Sequence, residues 1–275
     1  MISRSVRPLA LLAAATVALG AGTAAVWAGA DDARPAAIVE VLRPEGEGPF
    51  PAVVLLHGCS GIIQAERGWA QELRRRGYVS LLVDSFRPRG YTEICTNFLR
   101  VTRTQRVEDA DAALRWARAQ PSVAADAVAL MGFSNGAYAL LQAMRGPPAP
   151  GSSGFRAAVA MYPECRFDVG ASFHVPILIL IGGADDWTLA SHCRDLAEAA
   201  GRSPGAPVLL HVYPGVHHSF DNPAVRHFYY AGAKNPTKPG GCCGATVGYD
   251  AAAHVDAIGR VADFLAAHLR GAGGR

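Results

Sequence analysis

Charge is scarce in this chain: Asp, Glu, Lys and Arg together make up 18% of 275 residues, while half of the residues are hydrophobic. That balance excludes an intrinsically disordered chain. The formal net charge is only +3, and the arginines are scattered, so the basic footprint of a nucleic-acid-binding protein is missing. Beyond residues 9–30 there is no apolar run long enough to span a bilayer. None of the six cysteines forms a C-x-x-C pair, which argues against a zinc ribbon or a thioredoxin-like motif. Internal repeats and an interdomain linker are also lacking. A chain of this length buries a full core, and a single domain is expected.

What is present begins with the N-terminus. Arg4 and Arg7 precede an uncharged stretch from Leu9 to Ala30, and Ala28-Gly29-Ala30 before Asp31-Asp32 has a small-x-small pattern. Residues 1–30 therefore read as a signal peptide, or as an N-terminal membrane anchor if they are not cleaved. Residues 31–275 are then an exported body, periplasmic or secreted, meeting a membrane only if the anchor stays attached. All six cysteines, at 59, 95, 165, 193, 242 and 243, fall in that body. An oxidising compartment makes disulfides the expectation, with 15 ways of pairing six cysteines.

Short apolar runs recur along the body. "AVVLL" at 52–56, "VSLLV" at 79–83, "AVALM" at 127–131, "AAVAM" at 157–161, "ILILI" at 177–181 and "VLLHV" at 208–212 read as strands covered on both faces, with a further strand near Ile38–Leu42. Helical periodicity lies between them. Residues 104–119 put Val107, Ala110, Leu114 and Ala117 on one face, and residues 251–269 do the same with Val255, Ile258, Ala262, Leu265 and Leu269. The alternation predicts an α/β fold, a mostly parallel central sheet with helices on both faces. Stretches 85–103 and 221–249 show neither pattern, and structureless segments of that length are usually functional or lid-like.

"GFSNG" at 132–136 follows one of these strands and precedes a helix-like run. Strand, sharp turn and helix are the setting of a nucleophile elbow, in which glycines at both ends of the turn remove clashing Cβ atoms. A hydroxyl nucleophile needs a base, and the base needs an orienting acid. In the chain order this arrangement demands, "IGGADDWT" supplies Asp185 or Asp186, and "YPGVHHSFD" supplies His217 or His218. The backbone N–H groups of Asn135, next to the serine, and Cys59, in "LLHGCSG", are placed to form an oxyanion hole. No metal or organic cofactor is called for by such a site.

With "LLHGCSG", "LLVDSFRPRG", "ALMGFSNGAY", "IGGADDWT" and "YPGVHHSFD", the chain resembles the dienelactone hydrolase family of α/β-hydrolases from about residue 38 to 269. The resemblance implies the α/β-hydrolase fold. It selects Asp185 over Asp186 and His218 over His217, and it matches Cys59 to the first oxyanion donor. Asp186 then reads as a polar neighbour capping the helix near Thr188, and His217 as exposed or structural. The founding members carry cysteine in the elbow, where this chain has Ser134. Serine suits general ester hydrolysis and puts the dienelactone substrate in question.

The implied function is a serine hydrolase that cleaves carboxylic esters or lactones of small substrates through an acyl-enzyme. The alternatives are an amidase or peptidase with the same triad, and a non-catalytic binding protein on the same fold. Arg87 and Arg89 in "SFRPRG" are candidate ligands for a substrate carboxylate, as in the cysteine-type relatives. Trp187 and Tyr138 are candidate pocket walls, and "FYYAG" at 228–232 a candidate lid. Cys59 and Cys95 follow successive early strands, and a bridge between them would pin the oxyanion loop to 85–103. Cys165 and Cys193 are a second candidate pair. Adjacent Cys242 and Cys243 are left without a role.

Overall fold

The computed structural model describes residues 37–147 and 154–270. The export signal read in residues 1–30 lies outside the described residues.

Seven strands form one sheet: β1 (Ile38–Leu42), β2 (Phe50–Leu56), β3 (Val79–Asp84), β4 (Val123–Phe133), β5 (Ala157–Met161), β6 (Ile177–Gly182) and β7 (Val208–Tyr213). Their spatial order is β1-β3-β2-β4-β5-β6-β7. β1 runs antiparallel to β3, and every other pairing is parallel. All residues of β3, β5 and β6 are buried, which explains why these segments are continuous apolar runs rather than alternating ones. β4 extends beyond the apolar run at 127–131. Its first residues are held by a pairing of Val123 with Phe50, and an irregularity in register separates that pairing from the regular one at Ala52–Val128. Two exposed residues fall in that stretch, so no hydrophobic pattern marks it.

The helices are α1 (Gln64–Arg75), α2 (Arg103–Arg118), α3 (Asn135–Ala143), α4 (Ala190–Arg202) and α5 (Ala251–Leu265). α2 opens with a capping box, in which Thr102 accepts from Gln105 N and the Gln105 side chain accepts from Thr102 N. α5 is capped by Asp250, which accepts from Ala253 N at 2.8 Å. Its buried face meets the predicted one at Leu265 and Leu269 but is turned away from it at the start of the helix. Ala253, Ala257, Val261, Phe264 and Leu265 face the core, whereas Val255 is 70% exposed, because a helix rich in alanine offers two apolar stripes and packing takes only one. Right-handed crossovers put α1 on one face of the sheet and α2 to α4 on the other, since the chain reverses its direction of travel after β3. That reversal makes the gap between the carboxyl ends of β2 and β4 a topological switch point, the usual place for a site in such sheets.

Stretch 221–249 has structure of its own. β8 (Phe228–Tyr230) and β9 (Ala245–Val247) pair antiparallel. Disulfides join Cys59 to Cys95 and Cys165 to Cys193, and Cys242 is joined to Cys243. A small second apolar cluster includes Cys59, Phe86, Ile94, Cys95, Trp187 and Val247, and so packs 85–103 and the β8–β9 hairpin onto the strand-end loops.

Candidate active site

Ser134 sits between β4 and α3 with φ of 50°, a strained value for a non-glycine residue. The two elbow glycines permit it for different reasons. A Cβ at Gly132 would meet Gly136 O at 2.6 Å, a clash inside the turn, whereas a Cβ at Gly136 would meet Leu56 O at 2.1 Å, a clash with the end of β2. Tyr162, after β5, and Ser219, after His218, also have positive φ. All three strained residues gather at the carboxyl edge of the sheet.

Asp185 and His218 come from the loops after β6 and β7. His218 Nε2 lies 2.9 Å from Ser134 Oγ, and His218 Nδ1 lies 2.7 Å from Asp185 Oδ2. Asp185 is held in turn. Its Oδ1 accepts from Trp187 N at 2.9 Å and Thr188 N at 2.8 Å, and its Oδ2 accepts from Thr188 Oγ1 at 2.9 Å. The imidazole is wedged between the rings of Tyr162 and Trp187, at 4.6 and 5.0 Å between centroids. Gly182 lets the two loops approach, because a Cβ there would stand 2.1 Å from Val216 O.

Asp186 and His217 are elsewhere. Asp186 accepts from Thr246 N at 2.7 Å and Thr246 Oγ1 at 3.1 Å. It therefore tethers β9 and does not cap α4, which begins two residues later than expected. His217 is half-buried, with Nδ1 2.9 Å from Ala184 O.

Cys59 and Asn135 line the same cavity as Ser134. Asn135 is the first residue of α3, so its N–H has no intrahelical acceptor. A buried network holds both loops. Glu66 Oε1 accepts from Gly58 N at 3.1 Å and Oε2 from Ile63 N at 3.0 Å, and burial pushes its carboxyl pKa up. Arg106, wholly buried, donates to Asn135 Oδ1 and to His57 O, each at 2.5 Å. Burial lowers its pKa to about 10. The same burial, with Arg106 beside it, pushes His57 well below the usual histidine range.

The cavity beside Ser134 has a volume of about 250 Å³. Trp187 and Tyr138 line it, with Phe98, Val101, Phe167 and Pro236. Arg87 and Arg89 are not in its wall. The Arg89 fork is closed on Asp109, at 2.8 and 2.9 Å, with a further bond to Ser85 O at 2.7 Å. Arg87 points outward with its side chain 57% exposed, 3.7 Å from Asp84. The cavity is instead lined by Arg103 and Glu164, which the sequence reading missed. "FYYAG" contributes no lining residue: Phe228 and Tyr229 are exposed, and Tyr230 rests edge-on against Trp187 at 6.1 Å.

Residues 39–269 match the model of the dienelactone hydrolase family. The "Probable 2-oxo-3-(5-oxofuran-2-ylidene)propanoate lactonase" of a Bradyrhizobium species is 29% identical over 192 residues, which cover 65% of this chain and 76% of that protein. The "Putative Dienelactone Hydrolase" of Klebsiella pneumoniae, known from a crystal structure, superposes with a TM-score of 0.66 at 20% identity, over 84% of this chain and 92% of the other. A propionate-bound esterase from Thermogutta terrifontis gives 0.60 at 18%, over 86% and 91%.

Proposed function

Since the chain belongs to the dienelactone hydrolase family and is a hydrolase of ester bonds, we propose that Ser134, His218 and Asp185 are its catalytic triad and that it cleaves small carboxylic esters or lactones through an acyl-enzyme. The observation that carries this reading is the unbroken line of hydrogen bonds from Ser134 Oγ through His218 to Asp185 Oδ2. Ser134 Oγ attacks the carbonyl carbon while His218 Nε2 takes its proton. The carbonyl electron pair moves onto oxygen, and the N–H groups of Cys59 and Asn135 bind that oxyanion. As the tetrahedral intermediate collapses, His218 returns the proton to the leaving alcohol. Water then attacks the acyl-enzyme with His218 as base, and Ser134 leaves with its proton restored. Asp185 fixes the imidazole tautomer and stabilises its cationic form.

Three disulfides in the described body support an exported protein, because such bonds persist in oxidising compartments. The direct test is hydrolysis of a short-chain p-nitrophenyl ester by residues 31–275 beside Ser134→Ala. The alanine variant is expected to lose about 10⁴-fold or more in kcat. Equal activity in the two proteins would overturn the assignment.

A further inference from the structure

The cavity beside Ser134 is mostly apolar, and most of its buried polar side-chain atoms are engaged. Asn135 Oδ1 accepts from Arg106. Thr188 Oγ1 donates to Asp185 Oδ2 or to Tyr162 O. Trp187 Nε1 donates to Lys234 O at 2.8 Å. Arg103 donates to Tyr138 O and closes on both oxygens of Asp168, at 2.8 and 2.6 Å. Glu164 differs. Its Oε1 accepts from Arg166 N and lies against His192 Nδ1, each at 2.9 Å, whereas its Oε2 is buried with no hydrogen-bond partner.

Glu164 is 6% exposed. Among the described residues it is the only one in the cavity wall with a buried, unpartnered side-chain oxygen. Leaving a buried acceptor unsatisfied is destabilising, and a group of that kind in a binding site points to a donor arriving with the ligand.

We propose that Glu164 is a specificity determinant of this site, and that its Oε2 accepts a hydrogen bond from a hydroxyl group on the ester or lactone lying against Ser134. The proposal rests on the reading of the cavity as the acyl or alcohol pocket of a hydrolase. A neutral donor fits the surroundings better than a charged one. The Arg103 guanidinium stands in the same wall and opposes an ammonium group. A substrate carboxylate meets like charge at Glu164, and the Arg103 guanidinium already has Nη2 on Asp168 and Nε on Tyr138 O. The substrate class is thus a small hydroxy ester or hydroxy lactone, not an acidic one.

The test uses three probes: methyl butanoate, methyl 3-hydroxybutanoate and monomethyl succinate. Their affinities for the Ser134→Ala protein are measured by calorimetry, and their kcat/KM values with the unaltered protein. The hydroxy ester is expected to exceed the plain ester about tenfold in both measurements, the amount one hydrogen bond to a carboxylate supplies. In Glu164→Leu, and in Glu164→Met should leucine fold poorly, that ratio falls to within about twofold of unity. An unchanged ratio in both variants overturns the proposal. So does the absence of a hydroxyl preference in the unaltered protein, or a preference for the succinate ester. Preferential binding of the hydroxy ester without any hydrolysis would instead break the triad assignment and leave Glu164 in its role.

Discussion

The strand ends and the segments that cover them are built in different ways. Ser134, Asp185 and His218 each stand one turn beyond a strand of the sheet, and their loops are fixed by backbone contacts too close to admit a side chain at Gly136 or Gly182. Above them, 85–103 and 221–249 contain only short regular pieces. They are held by individual bonds: Ile94 N to Cys59 O at 2.8 Å and Asn235 Nδ2 to Asp186 O at 2.8 Å reach the strand-end loops, and Lys234 N to Cys95 O at 2.9 Å joins the two segments to each other. The floor is positioned by the sheet, and the roof by its attachments to the floor. Chemistry placed on the floor tolerates sequence change in the roof, which leaves the roof and side walls free to set specificity.

The sharpest way to break that comparison is to cut the covalent tie between the two. The Cys59–Cys95 bridge spans 36 residues and the Cys165–Cys193 bridge 28, so loop-closure entropy assigns each nearly the same stabilisation, about 4 kcal/mol. Cys59→Ser with Cys95→Ser, and Cys165→Ser with Cys193→Ser, should therefore lose similar amounts in urea titrations. Ester hydrolysis should fall at least tenfold further in the first pair, because only that bridge joins the loop of Cys59, the proposed oxyanion donor, to the roof. Equal activity losses would show that the roof does not depend on this tie.

A smaller effect tests the scaffold beneath the floor. His57 Nδ1 lies 2.7 Å from Gly58 O, and His57 Nε2 lies 3.2 Å from Ser85 N, an arrangement that uses the neutral ring. Its pKa is lowered in the folded protein, chiefly by burial and then by Arg106. The unfolded chain consequently binds a proton that the folded one refuses. Stability from this group is complete above the unfolded value near 6.5 and is lost as pH falls below it, by up to about 1.4 kcal/mol per pH unit. His57→Gln should flatten the wild-type stability curve between pH 6.5 and 5 by that slope. Parallel curves for the two proteins would mean that His57 is not held neutral.

The same division explains what could be read in advance. Each part of the proposed triad follows an apolar run and a short turn, so sequence neighbours narrow it to Ser134, one of Asp185 and Asp186, and one of His217 and His218, and the family resemblance makes the choice. Arg103 and Glu164 enter the wall from the start of α2 and the loop after β5, and no local pattern connects them. Arg106 did leave a signal. It stands at the spacing of Ala110, Ala113 and Ala117, on the buried face of α2, and a charged residue on such a stripe marks a buried partner. The strain at Tyr162 left none, since nothing in its type favours positive φ. Arg87 and Arg89 were misplaced because position after a strand end fixes where a backbone goes, while a long side chain chooses among several partners.

That choice sets up the smallest effect. Arg87 belongs to the roof's outer surface, with Asp84 as a partner at 3.7 Å and more than half of its side chain in water. An ion pair so exposed contributes little, about 0–1 kcal/mol. Arg87→Ala should change kcat/KM on monomethyl succinate and on methyl butanoate by less than about twofold, and by the same factor on both. A selective loss on the succinate ester would show that the roof closes far enough in the bound state to carry Arg87 to the substrate. The floor would then no longer be the only part of the site with a fixed geometry, and the acidic substrates that Glu164 argues against would return.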